Sequence, residues 1–132
     1  RIGELLLGDG SIDGKRLLKP SSIQAMIAPQ WQYHPGNGLT YEEDTDDADA
    51  GFFCRYGLAV QTLATPVESC RDDPFGDGVA RVGHSGSAHG LQAGLWVDRK
   101  RGTGVVWFAT GMPDERQGGK SAFSAVEEAL AH

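Results

Sequence analysis

Three stretches of the chain carry apolar residues at helical spacing, and its other apolar positions fall into short strand-like runs. Residues 1–8 predict a helix with Ile2, Leu5 and Leu6 on one face, closed by the Gly8-Asp9-Gly10 turn. Residues 9–18 read as a connector in which Asp13-Gly14-Lys15-Arg16 makes a tight hairpin turn. A second helix is expected from Pro20 to Ala28: proline suits the first helical turn, and Pro29 stops the helix at Ala28. Ile23, Met26 and Ile27 form its apolar face, which reads as a core stripe. Residues 30–39, with Trp31, Tyr33 and His34 among Pro and Gly, read as an irregular loop.

From Phe52 the period changes. Residues 52–63 alternate, placing Phe52, Cys54, Tyr56, Leu58 and Val60 on one side of a predicted strand. A polar stretch at 65–78 separates it from a short strand at 79–84. Leu91 to Val97 and Thr103 to Thr110 are two further strands, joined into a hairpin by the Asp98–Gly102 turn. Both are apolar on two faces (Leu95, Trp96 and Val97; Val105, Val106, Trp107 and Phe108), which implies a sheet covered on both sides. Residues 120–131 predict a terminal helix with Phe123, Val126 and Leu130 as its buried stripe, capped either by Ser124 with Glu127 or by Ser121. No internal repeat is found. The layout predicts one α+β domain over 1–132: short helices and an acidic loop in 1–51, then an antiparallel sheet with a helix packed on it in 52–132.

Composition sharpens this in a few places. With 39% apolar and 8% aromatic residues the chain can pack an interior, which disordered sequences cannot. Nineteen glycines suggest turns and bends within a sheet. The net charge of −6 argues against a nucleic-acid partner. That charge is local: Glu42 to Asp49 holds the excess acids, and this run predicts a solvated loop. No apolar run approaches the roughly 20 residues needed to cross a bilayer. Cys54 and Cys70 either form one bridge, worth about 3 kcal/mol in the chain-entropy account, or remain two thiols. A bridge implies export, and free thiols leave a cytoplasmic location open. The chain opens on Arg1-Ile2-Gly3-Glu4 inside a predicted helix without a capping residue, so a fragment or processed product is expected.

The chemistry concentrates in Val82-Gly83-His84-Ser85-Gly86-Ser87-Ala88-His89-Gly90-Leu91. A nucleophile elbow fits poorly, because Ser87 stands where Gly-x-Ser-x-Gly needs its last glycine and a strand, not a helix, follows. A metal site from His84 and His89 lacks a fixed third ligand, although His34 and the acidic loop are available. The acidic run fails as a calcium loop for want of its turn glycine and of a ligand at Ala48. An ordinary tight β-connection with polar side chains facing water is the plain alternative. Neither a metal nor a cofactor is expected.

The fourth reading is a strand-borne catalytic triplet. His84-Ser85-Gly86-Ser87, followed by Gly90-Leu91, Val97-Asp98, Gly102 and Val105-Val106, resembles the C-terminal part of the serine β-lactamase/penicillin-binding-protein superfamily, nearest its class C-like branch. The segment Gly10-Ser11-Ile12-Asp13-Gly14-Lys15-Arg16-Leu17-Leu18 with Pro20-Ser21, and Tyr56-Gly57-Leu58, resemble the same family upstream. In that family a Lys-Thr-Gly triplet, or its His-Ser-Gly variant, lines the active site. The resemblance implies a serine hydrolase acting on a β-lactam, a D-alanyl peptide or a simple ester through an acyl-serine intermediate. It implies catalytic roles for His84, Ser85 and Ser87, with the Ser87 N–H as one oxyanion donor and His84 and Ser85 facing the cleft. Gly86 and His89 would contact substrate.

The family's Ser-x-x-Lys and Tyr-x-Asn motifs do not occur here. The chain is therefore expected to be inactive alone, its partner being the N-terminal part of the same enzyme, with exposed apolar surface that favours dimerisation. Family habit points to a periplasmic or secreted location. The alternative from another class is a non-catalytic module that binds a partner through an exposed sheet edge.

Overall fold

A residue in left-handed backbone followed by a left-handed glycine sets each of two tight hairpins in the chain. At Asp13-Gly14, φ values of 49° and 74° make the primed turn that joins β1 (Ser11–Ile12) to β2 (Lys15–Arg16). At His89-Gly90, φ values of 51° and 76° do the same between β6 (Val82–Ala88) and β7 (Leu91–Asp98). The computed structural model describes residues 1–40, 50–112 and 119–132; the acidic run at 42–49 lies outside them.

Around these turns stand α1 (Ile2–Leu7), α2 (Pro20–Ile27), β3 (Trp31–Gln32), β4 (Arg55–Tyr56), β5 (Gln61–Thr62), β8 (Thr103–Thr110) and α3 (Ala125–Leu130). Strands β3 to β8 form one antiparallel sheet in sequence order, and β1 and β2 form a separate two-stranded sheet. The architecture is α+β, with a helix at the C-terminal end as the sequence predicts.

Trp96 and Val97 are neighbours on β7 and so project to opposite faces. Val97 joins Val82, Leu6, Ile23 and Val60 beneath α1 and α2. Trp96 joins Phe52, Leu63, Phe75 and Phe123 on the α3 side. Its ring meets that of Phe123 at 5.9 Å and 79°. The central sheet is thus covered twice, as its apolar strands require. Coverage stops at β8, where Val106 and Phe108 are 73% and 74% exposed, contrary to the expectation for that strand.

Other elements differ from the sequence reading. The alternating run at 52–63 is not one strand: β4 and β5 fold back on each other, with Leu58 exposed at the bend. The turn forms because the Gly57 N–H donates to the Val60 carbonyl at 2.7 Å and the Leu58 N–H to the Met26 carbonyl at 2.8 Å. A Cβ on Gly57 would come within 2.1 Å of that Met26 oxygen. The expected loop at 30–39 contains β3, because Trp31 pairs with Tyr56. In α1 only Leu6 is fully buried and Ile2 is exposed. In α3 the capping box of Ser124 and Glu127 forms, but the buried positions are Phe123 ahead of the helix, Glu127 and Ala131, while Leu130 is exposed.

Cys54 and Cys70 are joined by a disulfide, their Cα atoms 6.0 Å apart across 16 residues of sequence. It ties the entry to β4 to the polar stretch 65–78, closing a loop worth about 3 kcal/mol by the chain-entropy account. Beside it, the buried carboxylate of Asp72 accepts from the Thr65 N–H at 2.9 Å and the Thr65 hydroxyl at 2.7 Å. No helix among the described residues is long and apolar enough to cross a membrane.

Candidate functional site

His84, Ser85, Gly86 and Ser87 all lie on β6, which runs to Ala88 instead of stopping at residue 84. Glycine and serine are weak strand formers. Here β7 holds them in register over the whole strand, from Val82 opposite Val97 to Ala88 opposite Leu91. On the other side β5 pairs with Val82 and Gly83 only. Residues 84–88 therefore form an edge on that side among the described residues.

The register fixes which amides face that edge. The Leu63 N–H donates to the Arg81 carbonyl at 2.9 Å, so odd-numbered residues of this strand turn their backbone groups toward β5. Gly83 is opposite Gln61, but Ser85 and Ser87 extend past the end of β5. Their N–H groups point outward, while His84, Gly86 and Ala88 bond to β7.

Two glycines of the motif have separate uses. A Cβ on Gly83 would lie 1.7 Å from the Leu95 carbonyl oxygen, so only glycine allows this crossing of β6 and β7. A Cβ on Gly86 would meet nothing within 4 Å, so the face above it is open.

Side chains alternate across the strand. His84 stands on the α1 and α2 side with Gly86 and is exposed; Ser85 stands on the α3 side and is buried. The two were expected to face one cleft together, but adjacent strand residues cannot share a face. Ser87 follows Ser85 in direction and is exposed. His89 sits in the turn with φ 51° and is exposed. His34 lies in the segment after β3, its Nδ1 facing the Pro35 carbonyl at 3.4 Å.

Tyr56 is the residue that sequence reasoning missed. Its hydroxyl hydrogen-bonds His84 Nε2, and the rings meet edge to face with centroids 5.7 Å apart. The other ring nitrogen, Nδ1, bonds the Ser85 carbonyl. Partial burial pushes the Tyr56 phenol above its ordinary value. The signal for this contact lay in the β3–β4–β5 pairing that stands Tyr56 beside β6, and nothing within the His84 segment carries it.

A cleft of about 430 Å³ opens elsewhere, lined by Phe75, Asp77, Arg81, Trp96, Asp98 and His132 among others, with no residue of β6. There the Arg81 guanidinium donates to both Asp77 oxygens at 2.8 Å and lies 3.8 Å over the Phe75 ring. Among the described residues no group of three or more His, Cys, Asp or Glu side chains is placed to hold a metal ion. No family model matches the chain, and no curated protein or solved structure shows significant similarity to it.

Proposed function

We propose that this chain is the C-terminal part of a serine hydrolase of the β-lactamase and penicillin-binding-protein type, carrying one wall of its active site. The observation that supports this reading most is the free edge of β6, where the Ser87 amide points outward beside the open face over Gly86. An acyl-transfer enzyme needs two N–H donors aimed at the charge that develops on the attacked carbonyl. In this reading the Ser87 N–H is one, and the amide of the nucleophilic serine, on the remainder of the enzyme, is the other. Substrate lies along β6 as an added strand, and the bare Gly86 lets it approach. The substrate is a small ester, amide or β-lactam, with the histidine-initiated triplet favouring an ester or peptide. The enzyme works outside the cytoplasm, a location that the Cys54–Cys70 bridge favours.

The test is covalent labelling of the full reading frame that contains this chain, followed by peptide mapping. A fluorophosphonate or penicillin adduct is expected on a serine outside residues 1–132, three positions before a lysine, and none on this chain alone. A stable adduct on this chain alone, or a reading frame without Ser-x-x-Lys and Tyr-x-Asn, overturns the proposal.

A second reading, a non-catalytic module that binds through a sheet edge, draws on a different feature: among the described residues β8 leaves its outer side unpaired, with Val106 and Phe108 exposed beside it. In the enzyme reading the rest of the polypeptide covers that strand. A monomeric chain that unfolds cooperatively by itself favours the module.

A further inference from the structure

We propose that Tyr56 is a positioning residue: through His84 it masks the Ser85 carbonyl, the acceptor that precedes the Ser87 amide along the open edge of β6, so that this oxygen does not repel an anion forming at that amide. The argument begins with what each atom is able to do. A carbonyl oxygen only accepts, so the His84 Nδ1 bonded to Ser85 must carry a hydrogen. In the neutral ring Nε2 then holds a lone pair, and the Tyr56 hydroxyl fills it as donor. The chain Tyr56 O–H to Nε2, Nδ1–H to Ser85 carbonyl therefore runs in one direction only and fixes the tautomer.

Tyr56 is well placed for this. It is held on both sides, by Trp31 on β3 and by Gln61 on β5. Because burial raises its phenol, it keeps its proton through neutral pH and remains a donor.

The consequence lies at the edge. The Ser85 carbonyl points the same way as the Ser85 and Ser87 amides, since odd-numbered residues turn their backbone groups to that side. Left bare, its partial negative charge would oppose an oxyanion held by the Ser87 N–H. With the imidazole N–H on it, that oxygen is neutralised and its opposition to the Ser87 donor is removed. His84 is then a mask for the carbonyl, with Nε2 already engaged, in place of the proton carrier its residue type suggested.

This inference rests on the acyl-transfer reading for its purpose, but the tautomer and the masked carbonyl belong to the chain by itself. Long-range proton–nitrogen correlation on the labelled chain, at a pH where His84 is neutral, reads the tautomer directly. A single Nδ1–H form is expected, changing to a mixture with Nε2–H in Tyr56→Phe. An Nε2–H form in the wild type, or a tautomer unmoved by Tyr56→Phe, overturns the proposal. Should that variant not fold, fluorotyrosine incorporation tests the same bond: a more acidic phenol is expected to shift the His84 Nε2 resonance, and no shift is contrary. In the complete enzyme Tyr56→Phe is expected to lower kcat by about tenfold with KM kept, less than the ~10²–10³ lost with an oxyanion donor itself. A changed tautomer with kcat unaltered removes the catalytic purpose, whereas an unchanged tautomer removes the device and leaves the enzyme reading intact.

Discussion

Gly83 and Gly86 stand three positions apart on β6 and face opposite constraints. A side chain on Gly83 collides with the Leu95 backbone, whereas one on Gly86 enters open space. Gly83→Ala is expected to cost at least the ~1–3 kcal/mol of an overpacked core position. Gly86→Ala should stay within about 0.5 kcal/mol, as surface changes do. Urea midpoints of the two variants check the contrast, and equal losses would mean that the face over Gly86 is closed. Titration works at the same scale. The Arg81 guanidinium holds Asp77 well below the usual carboxylate range, while burial pushes Asp72 above it. Asp77 therefore adds stability that is present above its unfolded value, near 3.9, and lost as pH falls through the lower folded one. For this half-exposed pair the amount is about 1 kcal/mol at most. Asp72 has the opposite sign: its contribution is full below the unfolded value and lost as pH rises through its raised folded value. Stability measured from pH 3 to 7 should fall less on the acid side in Asp77→Asn and decline less on the rising side in Asp72→Asn. Unchanged slopes would contradict both assignments.

At the scale of elements, local signals were legible where they were complete within a few residues. Asp13-Gly14 announces its turn, Ser124 with Glu127 announces the helix start, and Val105 to Phe108 announces a strand. The capping box also reaches outward, since the Ser124 hydroxyl donates to the Gln92 side chain at 3.0 Å. Ser124→Ala is accordingly expected to lower stability by about 1 kcal/mol or slightly more, read as a lower melting temperature. Signals completed by distant partners were not legible. The alternation at 52–63 is the same for one strand as for two, and the bend at Gly57 is completed by the Leu58 bond to Met26 in α2, which lies outside the segment. Gly86 and Ser87 look like turn residues until β7 is laid beside them. The Tyr56–His84 bond joins positions 28 apart, so the motif was found without the residue that orients it.

Among the described residues the three long strands β6 to β8 present an edge on each side. The edge at β6 is short and rich in serine and glycine. That at β8 spans eight residues without one charge, proline or bulge to discourage pairing, and its apolar Val106 and Phe108 are bare. The chain alone is therefore expected to self-associate at micromolar concentration, and Val106→Lys with Phe108→Lys should return it to the 14.1 kDa monomer in sedimentation. A wild-type chain that is monomeric throughout would count against the enzyme-fragment reading and for the independent module.

The account depends above all on the Ser85 and Ser87 amides facing open space. Residue-resolved amide hydrogen exchange along β6 tests this most directly. The predicted pattern alternates, with Ser85 and Ser87 exchanging fast and His84, Gly86 and Ala88 slow behind their bonds to β7. Protection of Ser87 equal to that of Gly86 would mean that its N–H is already bonded, leaving no donor for an oxyanion.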